Sequence, residues 1–589
     1  MKRRPFNAKI IIATLVLLMI ALLTESCQVS QEKTRKPSED WSRGLPLASD
    51  ASSTIGFEVD KNGERIYVVI PHQNQSQENE FRYLQLNSSA EIILEKDLEI
   101  ELRGFARSPR LELSEDRGFH LFWLTREDSS EGWHLWYGLF HNQGEQNGQV
   151  YQITSDESGV GKYDVVSDGD GGVIVVWQDT QTNGIFMAHI SSTGETIATP
   201  HLVVQDGEWP SVRVDNQVRI HLIWMEDTVL MYHAFQPGDI TPFFGESIAR
   251  LQIGSGNTLK GLSLGLSDGW ISAFWSVLKQ AGLEAGTAKT EYVVFPVGKP
   301  DEGQIQSLNI MDDDNPFNPY RGSFALSQLM PPPQADFLST NYILSPVTSD
   351  NQNSELIVSV SANQTLRLNN NIQIVLGVFN DGEYQGYTVA TKTETLSKDP
   401  VIKVDDAGNL YLVWREGASG SQVFLSTTSS EARTALDGVS SSDLPSLLLT
   451  GGLEAITGIL LFPFALPWMV VGFVLLIVWR LIKNDEDLTF PTSKILLIIA
   501  IISYQVLKVL FLSPMLVYVP FSAWVDIPAH LELIYRVGVP LVIFTGALLA
   551  AQWFTRKSTP AALTYYLVVV IVDCIFTLAI YGVILLGEY

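Results

Sequence analysis

The sequence predicts an all-β propeller ectodomain of six to eight blades, with seven favoured, followed by an all-α domain of four transmembrane helices. Three observations support this fold class. A strand–turn–strand phrase recurs along the first three quarters of the chain, its second strand carries a tryptophan in most copies, and four long apolar stretches follow residue 450. In the clearest copy, residues 400–416, Ile402 and Val404 alternate with a lysine before a turn that runs from Asp405 to Gly408.

The copies of this phrase share one spacing. A turn residue stands nine positions before an anchor residue near the end of the second strand. The anchors are Val69, Trp123, Trp177, Trp224, Trp275, Ser359 and Trp414. A third and a fourth short strand follow several anchors, and four antiparallel strands per repeat are typical of a propeller blade. The anchor tryptophans are therefore expected to fill the space between neighbouring blades.

Two irregularities in the repeats carry predictions of their own. The last repeat ends after its third strand, near Ser426, so a strand from residues 45–53 is expected to complete that blade and close the ring. The long step between the anchors at 275 and 359 indicates an insertion over residues 298–341.

The chain divides into five predicted segments: a signal over 1–27, a polar tether over 28–44, the propeller over 45–432, a linker over 433–455 and the transmembrane domain over 456–589. Basic residues before the apolar run 10–23 predict export. Cys27 is a candidate site of lipid attachment, since the preceding segment is similar to a bacterial lipoprotein signal. Lipidation, ordinary cleavage and an uncleaved anchor all remain open.

Composition limits the partners and cofactors. The formal net charge of −26 excludes nucleic acid as a partner, because phosphate binding needs a basic face. The lipid bilayer is a predicted partner, together with a protein or glycan ligand for the propeller and a possible partner subunit in the membrane. The sequence contains no Walker loop, no dinucleotide fingerprint and no H-E-x-x-H motif, so no cofactor is predicted.

The repeated phrase resembles that of the broad sialidase-like, BNR-type propeller group. The resemblance is carried by the aspartate of the turn, the glycine after it and the anchor tryptophan, as in Asp168, Gly171 and Trp177, and it covers roughly residues 50–430. It implies the propeller architecture only. The arginine, tyrosine and glutamate set that sialidases use in catalysis has no assignable counterpart in this sequence, and no catalytic residue is predicted.

The predicted membrane spans are residues 456–479, 495–517, 534–554 and 562–586. Arg480, Lys483 and Lys494 flank the first connection between spans, and Arg556 and Lys557 mark the third. The positive-inside rule places these connections in the cytoplasm, so we expect a multi-pass cell-membrane protein whose propeller is extracytoplasmic.

Two charged residues are predicted to lie near the middle of the membrane. Lys508 in the second span and Asp573 in the fourth are expected to pair, because an unpaired charge there is costly. The pair has two possible roles, a clamp between helices or a part of an ion relay or sensor.

The candidate binding residues are acidic. Carboxylates follow the anchor tryptophans and are expected to form an acidic rim on one face of the disc: Glu127, Asp128, Asp179, Glu226, Asp227 and Glu416. Such a rim suits a cation, a basic partner or a pair of hydrolytic carboxylates, but solvated turn residues are the favoured explanation. Asp312, Asp313 and Asp314 form a weak calcium candidate that matches no defined loop, and no other metal site is predicted.

These features favour a membrane-anchored surface module that binds a protein or a glycan. A surface glycoside hydrolase or lyase is the first alternative and would need two carboxylates in one pocket. A sensor or transporter component that works through the membrane helices is the second. The residues that converge in the central funnel of the propeller decide between these classes.

Overall fold

The computed structural model contains two compact units, one over Lys33–Asp437 and one within Gly438–Tyr589. The residues it describes are 34, 37–38, 40–74, 76–102, 104–114, 118–128, 131–238, 242–312, 329–333, 338–349, 355–366, 369–393, 395–417, 419–437, 452, 455–483, 487–512, 529–557 and 561–585.

The first unit is a β-propeller whose described residues form seven four-stranded antiparallel sheets, which confirms the predicted fold class. The first three blades are β2–β5 (Gly56–Val59, Arg65–Gln73, Asn79–Asn87, Ile92–Asp97), β6–β9 (Phe105–Leu113, Gly118–Arg126, His134–His141, Tyr151–Gln152) and β10–β13 (Val160–Ser167, Val173–Asp179, Ile185–Ile190, Thr196–Val204). The next three are β14–β17 (Glu208–Val214, Ile220–Glu226, Val229–Phe235, Glu246–Arg250), β18–β21 (Asn257–Ser267, Trp270–Lys279, Ala288–Pro296, Gln304–Ser307) and β22–β25 (Ile343–Thr348, Glu355–Leu366, Asn369–Asn380, Glu383–Val389).

The seventh blade closes the ring with a strand from the other end of the unit. It contains β26–β28 (Ser397–Val404, Leu410–Glu416, Gln422–Thr427) and, as its outermost strand, β1 (Leu45–Ala48), which pairs antiparallel with β28 as the sequence predicted. The adjacent chain strengthens this junction. The Ser42 amide donates to the Thr427 carbonyl (2.9 Å), and the Ser52 amide donates to the Pro71 carbonyl of the first blade (2.8 Å).

The anchor residues all lie on the second strand of a blade, and the anchor tryptophans are almost fully buried. Each packs against the blade that precedes it. Trp123 meets Phe81 of the first blade edge to face at 5.9 Å, and Trp275 shares a hydrophobic cluster with Ile223 of the fourth blade. Because a large aromatic ring contributes about 1.5–3 kcal/mol or more when fully buried, these contacts hold adjacent blades together.

One boundary differs from the prediction. The fourth strand of the fifth blade, β21, lies inside the segment interpreted as an insertion, so the connection between the fifth and sixth blades starts only after Ser307. The sequence Gln-Ile-Gln-Ser of this strand is short and mostly exposed, and it gives too weak an alternation to be recognised. After β28 a short helix, α1 (Ser430–Asp437), packs Ala432 and Leu436 onto the core beside the closing strand.

The second unit contains four long helices: α2 (Leu466–Lys483), α3 (Pro491–Phe511), α4 (Ala529–Phe554) and α5 (Ala562–Leu585). Each is long and apolar enough to span a membrane, and a single 3₁₀ turn, Phe462–Ala465, precedes the first. α2 packs on α3, and α5 contacts all three other helices. The shared core includes Trp468, Tyr504 and Tyr566, whereas the outward faces expose leucine, isoleucine and valine, as lipid-facing surfaces do.

Candidate functional site

The first strands of the blades surround a central funnel. Each of them contacts the first strand of the next blade, as β10 contacts β14 and β2 contacts β26, so they form the innermost ring of the propeller. A cavity of about 530 Å³ opens among them and is lined by residues of all seven blades. This volume lies within the range of small-molecule binding sites.

A repeated irregularity shapes the funnel wall. In the second to seventh blades, the pairing of the first and second strands shifts register at the same level, as between Arg107 and Arg110 and between Lys398 and Val401. The residues at these bulges line the funnel. Four of them are non-glycine residues in the left-handed region directly before a proline, namely Ser108 (φ 55°), Trp209 (φ 56°), Ser345 (φ 58°) and Asp399 (φ 53°). Strained backbone of this kind concentrates at functional sites, and proline is tolerated in a sheet at bulges.

Five cationic side chains line this funnel; Arg213 pairs with Asp164, and the other four have no carboxylate partner among the described residues. Arg107 and Arg110 come from the second blade, Lys162 from the third and Lys260 from the fifth. Burial, followed by the positive charge of Arg107, lowers the pKa of the Lys162 amine, and Lys260 and Arg110 act in the same direction. Among the described residues, none of the four forms an ion pair with a carboxylate.

The two acidic residues of the funnel are already engaged. Asp164 accepts hydrogen bonds from the Ser211 hydroxyl (3.0 Å) and the Val212 amide (3.1 Å), and its Oδ2 lies 3.3 Å from Nη1 of Arg213. Asp399 accepts a hydrogen bond from Nη1 of Arg415 at 3.2 Å. Each carboxylate is therefore neutralised by its own arginine. The excess positive charge of Arg107, Arg110, Lys162 and Lys260 faces the cavity in a protein whose net charge is −26.

Aromatic rings accompany the cations. The Lys162 amine lies 4.5 Å from the centre of the Trp209 ring, and the guanidinium carbon of Arg107 lies 3.7 Å from that of Trp133. A second arginine, Arg126, lies 4.5 Å from the same Trp133 ring. Nε of Arg107 and Nε of Arg126 are buried without a hydrogen-bond partner in the described residues. Cation–π contacts position these cations, but they leave the N–H groups available to an anion.

Below the main cavity the channel narrows. The guanidinium of Arg213 in the fourth blade donates to Oγ1 of Thr348 in the sixth (3.2 Å), so it crosses the channel past the fifth blade. Lys403 and Glu58 pair at 2.6 Å nearby. The space at this level is about 40 Å³, close to that of a single water molecule. Polar contacts between blades therefore narrow the channel at this level.

The predicted rim acids lie around the funnel but not in it. The strand register pairs Val160 with Asp179 and Ser397 with Glu416, which places these acids at the face where the bulges occur. Local groups hold several of them. Asp179 accepts the amides of Gln181 and Thr182, and Glu226 and Glu416 accept the indole N–H of the anchor tryptophan two residues earlier.

The remaining rim residues have no common site. Glu127 lines a separate groove of about 420 Å³, Asp128 lies in a bend, and Asp227 occupies a tight turn with φ 53°. None of the six rim acids is among the residues that line the central funnel. Their role in binding stays a prediction.

Two other candidates lie mainly outside the described residues. Of the calcium candidate, Asp312 is described, whereas Asp313 and Asp314 are not. Cys27 also falls outside the described residues.

One cluster carries metal-ligating atoms. A nitrogen of His72 and carboxylate oxygens of Glu80 and Asp97 lie within 4.8 Å of one another on three adjacent strands of the first blade. A guanidinium is present as well, because Arg82 pairs with Asp50 and lies 3.4 Å from Nδ1 of the histidine. The pair of Arg82 and Asp50 fastens the segment after β1 to the first blade.

In the membrane unit the structure brings Lys508 and Asp573 together. Nζ of Lys508 lies 2.7 Å from Oδ2 of Asp573, and the same oxygen accepts a hydrogen bond from the Tyr504 hydroxyl (2.7 Å). Both charged side chains are fully enclosed, with exposed fractions of 1% and 0%. Thr577 lies 3.4 Å from the amine, and Oδ1 of Asp573 has no partner in the described residues.

The sequence carried one signal that could have revealed the funnel. Pro109, Pro210 and Pro400 occupy equivalent positions in the repeats. Since a proline inside a first strand indicates a bulge, the residues around it were candidates for the funnel wall. The cations themselves gave no signal, because lysine and arginine on a strand are usual at a solvated face.

No protein-family model and no curated protein matches this chain. Among solved structures, polysaccharide lyase Uly1 is similar with 9% identity and a TM-score of 0.42, covering 65% of this chain and 90% of that one. The Dos1 propeller is similar at 8% identity (TM-score 0.37, 66% and 96% covered), and a GH43_1 enzyme from Xanthomonas citri at 12% (TM-score 0.26, 40% and 85% covered). These structures are similar to this chain in fold only, and the similarity does not indicate a substrate for it.

Proposed function

We propose that the propeller is a binding module that holds an anionic glycan in its central funnel on the extracytoplasmic side of the membrane. One observation carries the proposal: Arg107, Arg110, Lys162 and Lys260 converge in one cavity without carboxylate partners among the described residues, although the chain is strongly acidic. Like charges held close together raise the free energy of the empty site, and an anion would lower it.

The other groups in the funnel favour a sugar acid over a simple anion. Trp209 offers an aromatic surface, and the Ser108, Ser345 and Thr54 side chains add hydroxyl groups to the wall. A site with a few placed polar groups beside an aromatic ring suits a hydroxylated ring that bears a carboxylate or a sulfate ester.

Binding is favoured over hydrolysis by the state of the two funnel carboxylates. A glycoside hydrolase needs one carboxyl group as an acid and a second as a base or nucleophile. Asp164 and Asp399 each bond to an arginine of the protein, so neither carboxyl group is left unengaged for this chemistry. The extracytoplasmic location rests on the lysine and arginine residues of the first and third connections between the helices.

The test is a titration of the full chain in detergent micelles with polygalacturonate, dextran sulfate and neutral dextran, followed by calorimetry. We expect binding of an acidic polymer and none of dextran. A Lys162→Gln and Lys260→Gln double variant should weaken the affinity at least about tenfold, or about 1.4 kcal/mol, because it removes two of the four unpaired charges.

A matched variant controls for the loss of charge elsewhere. Lys61→Gln with Lys299→Gln removes two exposed lysines that lie outside the funnel lining, and it should leave the affinity unchanged. Equal weakening in both double variants, or tighter binding of neutral dextran, would reject the funnel as the site. Binding of polyglutamate in preference to both acidic polysaccharides would replace a glycan with an acidic peptide.

A further inference from the structure

We propose that the Lys162 amine is a nucleophile that forms an imine with an anionic aldehyde or ketone, such as the open-chain reducing end of an acidic sugar. This inference rests on the proposed anion site and adds a chemical step within it. It follows from the surroundings of the amine and from its access to solvent.

The amine is surrounded by cations from three blades. Arg107 and Arg110 on β6 and Lys260 on β18 act on it, and Arg213 lines the same cavity from β14. The nearby titratable groups on its own strand are Tyr163 and Asp164, and Asp399 faces the cavity from β26. The Tyr163 hydroxyl donates to the Ser108 and Phe122 carbonyls, and both aspartates are held by arginines. Among the described residues, no carboxylate is left to stabilise the ammonium form.

The amine is also placed to meet a ligand. Lys162 lies within the bulge between Val160 and Tyr163 with part of its side chain exposed at the funnel, and its Nζ lies over the Trp209 ring. A lysine next to other cations is a better nucleophile, because a larger fraction of its amine is neutral at a given pH. Burial and the neighbouring positive charges also lower the pKa of this amine. The same cations would attract an anionic carbonyl compound.

Imine formation needs only the lysine amine and the carbonyl compound. The nitrogen lone pair of the neutral amine attacks the carbonyl carbon, and a C–N bond forms as the carbonyl π electrons move to oxygen. Both hydrogens of the amine then leave with that oxygen as water, and a C=N bond remains. The reverse step, hydrolysis, returns the free lysine, so the adduct is reversible.

The first test uses pyridoxal 5′-phosphate as an anionic aldehyde, on the full chain in detergent. Borohydride reduces any imine, and peptide mass spectrometry locates the adduct. We expect Lys162 to carry the major adduct and inorganic phosphate to protect it. Labelling of Lys162 that is no faster than that of the exposed Lys61 would overturn the proposal.

A second measurement separates reactivity from access. Reductive methylation with formaldehyde, a neutral aldehyde, should modify Lys162 several-fold faster than Lys61. In an Arg107→Gln and Lys260→Gln variant this advantage should disappear, since the ammonium form is no longer disfavoured by its neighbours. An unchanged rate in that variant would show that exposure alone causes the reactivity, and it would overturn the inference.

A conservative variant distinguishes this inference from the proposed function. Lys162→Arg keeps the positive charge but has no nucleophilic amine, so it should form no adduct at this position. Polysaccharide binding by the unmodified chain without any adduct would refute the imine step and leave the anion site standing. If the unmodified chain neither binds the polysaccharide nor forms the adduct, the anion site and the imine step are both refuted.

Discussion

The Lys508–Asp573 pair should be strongly coupled energetically, and a double-mutant cycle can measure this. The single changes are Asp573→Asn and Lys508→Met, and the double variant removes both charges. Asp573→Asn leaves a buried ammonium without its counter-ion, and Lys508→Met leaves a buried carboxylate that keeps only the Tyr504 hydroxyl. The double variant leaves no charge at all.

The contact geometry sets the expected size of the coupling. At 2.7 Å and an effective dielectric constant of about 20, the attraction between the two charges is about 6 kcal/mol. Desolvation offsets part of this, and removal of one partner from a buried pair costs about 3–5 kcal/mol. We therefore expect each single variant to lose about 3–5 kcal/mol. The double variant should lose less than either single variant, and far less than the sum of the two single losses.

The assay must report on the helices and not on the propeller. The sequence has two cysteines, Cys27 and Cys574, and the second is fully buried beside Asp573. In a Cys27→Ser background, a mass-tagging thiol reagent will react only when the helices open. The labelled fraction, measured against increasing sodium dodecyl sulfate in mild detergent, gives the unfolding free energy of this unit.

The control is Thr545→Val on α4, which changes an exposed side chain that bonds only to its own helix. It should alter the unfolding free energy by no more than about 0.5 kcal/mol. If the losses of the two single charge variants add within about 0.5 kcal/mol in the double variant, the pair is not coupled and the reasoning fails.

Three further predictions concern the propeller. Deletion of residues 44–54 should sharply lower its melting temperature. Leu47→Ala on β1 should lower the free energy of unfolding by about 2–5 kcal/mol, and the exposed control Ile92→Ala by no more than about 0.5 kcal/mol. Near-ultraviolet circular dichroism measures both, and equal losses in the two variants would contradict closure by β1. Burial lowers the pKa of His120 to about 4, so about 3 kcal/mol of stability present above pH 6.5 should be lost as the pH falls to about 4. His120→Gln should flatten this part of the denaturation profile, and an unchanged slope would refute it. Raising sodium chloride from about 0.1 M to about 1 M shortens the Debye length from about 10 Å to about 3 Å, so polygalacturonate affinity should fall steeply; salt-independent binding would argue against a cationic site.

His120 illustrates why several histidines of the strands serve packing. Its Nε2–H donates to the Gly171 carbonyl (3.0 Å), and its Nδ1 accepts from the Tyr137 hydroxyl (2.8 Å), so the neutral ring satisfies both neighbours. Protonation would place a hydrogen on a nitrogen that must accept. His221 repeats the arrangement with Tyr232 and Asp215 in the fourth blade. Each of these two histidines has protein partners at both ring nitrogens.

Much of the fold is encoded locally. A blade needs alternating strands, a turn with aspartate and glycine, and a large side chain to pack on its neighbour, and all of these recur at fixed spacing in the sequence. The closing strand followed from a missing fourth strand near Ser426, because an unpaired sheet edge demands a partner. The four long apolar helices followed from the length of their apolar stretches.

The funnel could not be found in this way, because ring closure brings together residues from separate blades. Arg107, Lys162 and Lys260 each look like ordinary solvated strand residues, and only the arrangement of the first strands turns them toward one cavity. The rim acids show the converse. They share a position in the repeat, yet Asp179, Glu226 and Glu416 bond within their own blades.

The sequence by itself determined the repeating sheets and the apolar helices, since both depend on periodicities within a few residues. The tertiary structure alone decided the sign of the charge at the centre. That sign depends on which side chains the bulges turn toward the funnel. It also depends on which carboxylates pair with an arginine of another blade, as Asp164 pairs with Arg213. Electrostatic pairing over such distances in sequence is a property of the closed ring, and no local pattern encodes it.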